Sequence, residues 1–245
     1  MPDLYDLKPD PDLPSLPGEA VVRETPDHLI DVLVSDIYLH ALNCVQTFGD
    51  FHMAIGNGAF QERVCRRLMT DPAVRQLPWQ RTHVWAVADE PDDIWGSRFT
   101  SILDLLEGHA GIPDSNLHLP DLDTPDPAGD YERRLQRTLA WREKGHDRLD
   151  LVLASYQPSG DVAGVDRTAD HAAERLYVGR VGEGNGTPRT IGMAPRLLNA
   201  SRLIALVALG QDTRAALTMA PGSPGVPAPL GGTLRWYVDR AACPV

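Results

Sequence analysis

The chain has 245 residues, 42% hydrophobic and 23% charged, with a formal net charge of −11 and a pI near 5.1. It is long enough for one large α/β domain or two small ones. The acidic charge argues against sequence-independent nucleic-acid binding, which needs clustered Lys and Arg, and against an anionic membrane surface as a partner. The longest apolar run, Leu203 to Leu209, is too short to cross a bilayer.

The cysteines and the first residues indicate the compartment. Cys44, Cys65 and Cys243 are odd in number and form no CxxC pair, which is typical of reduced thiols in a cytoplasmic protein. The chain begins with acidic, proline-rich residues, which predicts no signal peptide. Residues 1–18 contain five prolines and four aspartates, so we interpret them as an irregular arm that precedes one domain over residues 19–245.

Apolar periodicity predicts strands that alternate with helices along this domain. The predicted strands are 19–24, 51–55, 81–88, 149–154, 176–181, 190–193 and 203–209, and residues 234–242 close the chain. The predicted helices are 26–45, with Thr25 as N-cap and Pro26 at the first helical position, 59–68, 94–107, 131–144, 169–175 and 213–219. Residues 112–129 and 221–232 are interpreted as loops rich in proline, and residues 197–202 as a turn. This alternation predicts an α/β fold, a single doubly wound, mostly parallel sheet with helices on both faces.

The most informative stretch is Phe51 to Leu68, a strand that passes through Gly56 and Gly58 into a helix. Such a turn presents backbone N–H groups to a phosphate in many α/β proteins. Here Ala59 and Phe60 follow the glycines, and their side chains cannot hydrogen-bond phosphate oxygens.

The order of motifs resembles the 6-phosphogluconolactonase branch of the glucosamine-6-phosphate isomerase/6-phosphogluconolactonase family. The residues that carry this resemblance are IGNGAFQ at 55–61 against LSGGSTP, ADEP at 88–91 against strand-end GDER, IPDSNLHLP at 112–120 against IP..N.H..P, DLVLASYQPSGDVAG at 150–164 against DLVLLGMGPDGHTAS, and the patterns at 189–202 and 232–242. The resemblance implies a 6-phosphogluconolactonase-like fold and a part in the pentose phosphate pathway of carbohydrate metabolism.

The departures from the family pattern fall where its chemistry is expected. Ala59 and Phe60 replace a serine and a threonine, and Pro91 replaces an arginine that would hold phosphate. Asp161 replaces the histidine expected to act as general base, and an unperturbed aspartate is a much weaker base than imidazole. Thr213 replaces a lysine. The joint loss of the two hydroxyls, the arginine, the histidine and the lysine predicts weak or absent lactonase activity.

Three functions remain open from the sequence. The first is a binding or regulatory pseudoenzyme of this family. The second is a divergent lactonase that hydrolyses 6-phospho-D-glucono-1,5-lactone with a rebuilt site, and the third is a hydrolase or isomerase of a non-phosphorylated small molecule. The candidate catalytic residues are Asp161, Ser159, Asp89 and Glu90, and the candidate ligand-binding residues are Gly56, Asn57, Gly58, Gly160 and Arg189.

No cofactor and no metal ion are predicted. The eight histidines are dispersed and form no HExxH or HxH pair, so the sequence gives zinc almost no support. The expected partner is a sugar phosphate or another small molecule, with no nucleic acid and no membrane, and the oligomeric state is open.

Overall fold

A computed structural model describes residues 15–91, 98–140, 148–167, 174–181 and 188–243. The strands are β1 (Glu19–Arg23), β2 (Phe51–Ile55), β3 (Thr82–Ala86), β4 (Ala88–Asp89), β5 (Leu117–His118), β6 (Leu151–Ser155), β7 (Tyr177–Val181), β8 (Pro188–Met193), β9 (Leu203–Ala208) and β10 (Thr233–Asp239). The α-helices are α1 (Pro26–Phe48), α2 (Ala59–Thr70), α3 (Thr100–Ala110), α4 (Pro127–Leu139), α5 (Pro195–Ala200) and α6 (Arg214–Met219).

Seven strands form one parallel sheet in the order β1-β10-β9-β6-β2-β3-β5, as the alternation of elements predicts. The central strands β6 and β9 are almost wholly apolar and buried, because a parallel sheet is covered on both faces. A second sheet, β4-β8-β7, is antiparallel and was not predicted.

Helices cover both faces of the parallel sheet. The ring of His40 on α1 contacts the edge of Phe51, whereas Tyr131 on α4 packs against Trp85. Trp85 lies beside His52, which follows Phe51 in β2. Because successive side chains of a strand point to opposite faces, α1 and α4 lie on opposite faces of the sheet. The predicted fold class is therefore confirmed.

Helix α1 begins and ends at clear capping residues. The Thr25 side chain accepts a hydrogen bond from His28 N at 3.3 Å, Pro26 fills the first position, and Gly49 ends the helix in the left-handed region at φ 90°. By length and composition alone, α1 is apolar enough to cross a membrane. Its buried face, which includes Leu29 and Leu33, belongs to the domain core, as in the core helix of a globular fold.

Three predictions were wrong, two of them for the loop region 112–129 and one for a later segment. The short strand β5 lies in the segment interpreted as loop and pairs with β3 through only two residues, too few for periodicity to reveal. Helix α4 begins at Pro127, because the Asp126 side chain accepts from Gly129 N at 3.0 Å and caps it. Residues 197–202 were interpreted as a turn, whereas residues 195–200 form the short helix α5.

Some predicted segments lie outside the residues that the structure describes. These are residues 1–14 of the arm, 94–97 and 141–144 of two helices, 169–173 of a short helix and the glycine-rich loop 182–186.

Candidate functional site

The loops that follow β2, β3, β6 and β9 lie at one edge of the parallel sheet, here called the carboxyl edge. They are tied to neighbouring strands by backbone bonds, for example Gly56 N to Leu153 O at 2.9 Å and Tyr156 N to Val207 O at 2.8 Å. Ligands of open α/β sheets bind outside the carboxyl ends of their strands. A ligand of this domain is therefore expected at the carboxyl edge.

The loop after β2 contains Gly56, Asn57 and Gly58. Gly58 is the N-cap of α2 at φ 145°, a conformation that L side chains rarely adopt. The Asn57 side chain donates to Ala88 O at 3.2 Å, and its Oδ1 is buried without a hydrogen-bond partner among the residues described. Ala59 is exposed, whereas the Phe60 ring belongs to the core.

The acidic pair at the end of β4 consists of a buried and a half-exposed carboxylate. Asp89 is 1% exposed, and its Oδ1 accepts from the backbone N–H groups of Glu90 at 2.9 Å and Phe99 at 3.0 Å. These bonds fix the path of the chain into α3. Glu90 forms an ion pair of 2.6 Å with Arg98, in which both side chains are about half exposed. Pro91, at the place where the resemblance implies an arginine, is also exposed.

The loop after β6 places Ser159 and Asp161 at the surface. Gly160 between them has φ 85°, and its N–H donates to Gln157 O at 2.9 Å, which closes a tight turn. Asp161 pairs with Arg167 at 3.8 Å. The carboxylate at the position implied for a general base is thus solvent-exposed and beside a guanidinium.

Thr213 follows β9 at the position implied for a lysine. Its side chain is 5% exposed, and the hydroxyl donates to the backbone carbonyls of Leu209 at 3.0 Å and Gly210 at 2.9 Å. Since the hydroxyl hydrogen is engaged by these carbonyls, Thr213 supports the turn and provides no positive charge.

A cavity of about 410 Å³ opens at the carboxyl edge beside the β4–β8 pair. Of the candidate residues, it is lined by Gly56, Asn57, Asp89 and Glu90. The other polar lining residues are Arg98, which the sequence offers as a positive charge for a cleft, and Asp166 and Thr190, which no sequence motif indicates.

Four of the remaining candidates are not among the described residues that line this cavity. Gly58, Ser159, Gly160 and Asp161 lie in the adjoining loops, outside it. Arg189 belongs to β8, one residue before Thr190, and its side chain is outside what the structure describes. The part of β8 that contacts the cavity is brought there by antiparallel pairing with β4, for which the sequence carries no motif.

A second group of titratable side chains lies within the sheet, away from this cavity. Ring pairs stack in register across strands: His52 on His83, with centroids 4.2 Å apart, and Trp85 on His118, with centroids 3.6 Å apart. Within the ring planes, Trp85 Nε1 donates to His52 Nδ1 at 3.2 Å, and His83 Nδ1 lies 3.1 Å from His118 Nε2. Asp50 approaches His52 Nε2 at 3.0 Å.

Asp50, His52 and His83 place one possible metal-ligand atom each within 4.8 Å of one another. The hydrogen bonds favour another role for His52. Because its Nδ1 accepts from Trp85, its Nε2 carries the proton and donates to Asp50, so neither ring nitrogen has a free lone pair. A metal-bound histidine would instead donate through its second nitrogen. We therefore interpret these side chains as a structural hydrogen-bond network that the dispersed sequence positions concealed.

The family model described as "Glucosamine-6-phosphate isomerases/6-phosphogluconolactonase" matches residues 24–233. The chain belongs to this family. The match begins near the predicted start of the domain and includes every loop of the carboxyl edge.

Curated relatives match most of this chain but only part of their own length. The GDH/6PGL endoplasmic bifunctional protein of Homo sapiens is 25% identical over 248 aligned residues, covering 91% of this chain and 30% of that protein. The protein of the same name from Oryctolagus cuniculus is 24% identical, with 91% and 29% covered. The chain thus spans about 30% of the length of these relatives.

Solved structures share the fold at low identity. The 6-phosphogluconolactonase from Thermotoga maritima superposes with a TM-score of 0.73 and 21% identity, covering 91% of this chain and all of that chain. The enzyme from Trypanosoma brucei gives a TM-score of 0.69 and 15% identity, with 93% and 98% covered. The cytoplasmic location expected from the cysteines stays a prediction, since the curated relatives are named as endoplasmic proteins.

Proposed function

We propose that this protein is a binding or regulatory member of the family, which binds a small hydroxylated molecule at the carboxyl edge and lacks efficient lactonase activity. The observation that carries the proposal is the position of Asp161. Its carboxylate stands in place of the implied histidine base, is exposed, and pairs with Arg167. A carboxylate is a much weaker base than imidazole, so this position lacks the proton acceptor that the family pattern implies.

The other implied functional positions support the same function. Ala59 and Pro91 offer no side-chain donor, and the Thr213 hydroxyl is engaged by two backbone carbonyls. Arg98 lines the cavity, but it is already paired with Glu90. A phosphate at this edge would therefore meet few of the donors that the family resemblance implies.

The test is turnover of 6-phospho-D-glucono-1,5-lactone by the purified protein, corrected for spontaneous hydrolysis. We expect the wild-type rate to be close to the background rate. Asp161→His should raise it at least tenfold if the missing imidazole limits the reaction, and Asp161→Asn should leave it unchanged. Efficient wild-type turnover would contradict the proposal. If Asp161→Asn then abolished that turnover, the rebuilt lactonase, with Asp161 as base and Arg189 on the phosphate, would be the better function.

A further inference from the structure

The N-terminus of α2 is the place where the glycine turn would present backbone donors to an anion. This helix has 12 residues and begins after Gly58, and no side chain of the described residues caps it. Its first intrahelical bond runs from Glu62 N to Gly58 O at 3.0 Å, so the N–H groups of residues 59–61 precede the helical ladder. Such donors, together with the helix dipole, attract a negatively charged group.

The side chain of Gln61 already covers this N-terminus. Gln61 is the third residue of α2 and only 2% exposed. Its Nε2 donates to Ser155 Oγ at the end of β6, at 2.8 Å. Its Oε1 lies beside Gly58, where an added Cβ would be 2.9 Å from that oxygen. The Gln61 amide therefore bridges from the glycine turn to the neighbouring strand.

We propose that Gln61 is a specificity-determining residue that closes the α2 N-terminus to phosphate, with Ser155 holding it in place. The inference rests on the proposed function, because it concerns the ligand of the same carboxyl edge. A phosphate seated on the helix N–H groups would have to approach Gly58, where Oε1 stands. A carbonyl oxygen and a phosphate oxygen are both acceptors, so they repel each other.

Moving the Gln61 side chain aside is also unfavourable. It would break the bond to Ser155 and leave a buried amide without that partner. The carboxylate of Glu62, in the first turn of the same helix, adds a negative charge that disfavours an anion. These contacts therefore favour a ligand without a phosphate group at this N-terminus.

The experiment is a titration of the full chain with inorganic phosphate, in which binding is measured by calorimetry and by thermal shift. We expect Gln61→Ala to bind phosphate at least tenfold more tightly than the wild type. Ser155→Ala, which releases the amide without removing it, should give a smaller gain. Gln76→Ala makes the same chemical change at an exposed position and should behave as the wild type.

A second substitution separates closure by Gln61 from the simple lack of a hydroxyl group. Ala59→Ser adds a hydroxyl at the exposed first position of α2. It should change phosphate affinity little in the wild type and raise it further in Gln61→Ala. The inference is overturned if Ala59→Ser alone gives the tenfold gain, or if neither Gln61→Ala nor Ser155→Ala binds phosphate more tightly than the wild type. Lactone turnover by the wild type is read separately, so the proposed function can fail while this inference stands.

Discussion

Acidification should destabilise the protein through His118, and the structure gives the sign and size of the effect. His118 is 6% exposed and stacks on Trp85. Burial, with further contributions from His83, His52 and Arg134, lowers the pKa of His118 from 6.5 to about 2. The folded protein therefore keeps this imidazole neutral, whereas the unfolded chain takes up a proton below pH 6.5.

The stability that depends on neutral His118 is complete above pH 6.5 and is lost progressively as the pH falls toward 2. The difference in bound protons between the unfolded and the folded state rises from about one half at pH 6.5 to almost one at pH 4.5, and its integral over this range is a loss of about 2 kcal/mol. Urea denaturation across this range measures the free energy of unfolding. His118→Phe keeps an aromatic ring against Trp85 and should flatten the pH dependence by this amount.

His28→Phe provides the matched control, because His28 is exposed and its removal should leave the pH dependence unchanged. The reasoning is refuted if the wild type and His118→Phe lose the same free energy between pH 6.5 and 4.5. In that case His118 would be protonated in the folded state, or its neutral form would not be favoured by burial.

Three further predictions concern close packing and thiol reactivity. Gly164 has φ 77°, and in Gly164→Ala the added Cβ would lie only 2.7 Å from the nearest side-chain carbon. Gly210 has the same φ but open space around it. In urea denaturation, Gly164→Ala should therefore lose about 2 kcal/mol more of the free energy of unfolding than Gly210→Ala. Gly225→Ala would place a Cβ 1.9 Å from the Gly160 carbonyl oxygen, so we expect the melting temperature to fall by several degrees. An unchanged melting temperature would show that this loop shifts at little cost in stability. Burial raises the pKa of Cys65 to about 12, so a thiol reagent at pH 8 should label it only after unfolding, and rapid labelling of the native protein would contradict its burial.

The sequence by itself determined the fold class, because apolar periodicity and capping residues act over a few positions. The pattern at 51–55 gave the bounds of β2 correctly, and Thr25 with Pro26 marked the start of α1. Glycine positions marked the turn before α2 for the same reason, since only local backbone geometry is involved. The sequence also identified Gly56, Asn57, Asp89 and Glu90, because each lies at the end of a strand or in the loop that follows it.

Tertiary structure alone decided which side chains meet. Asp166 and Thr190 line the cavity because β8 pairs with β4 across about 100 residues, and nothing local in the sequence specifies that pairing. Parallel register likewise places His52 beside His83 and lets Trp85 select its tautomer. The amide of Gln61 reaches Ser155 only because β2 and β6 are neighbours in the sheet. Contacts between distant segments depend on register and strand order, which are set by packing of the whole core and not by any single stretch of residues.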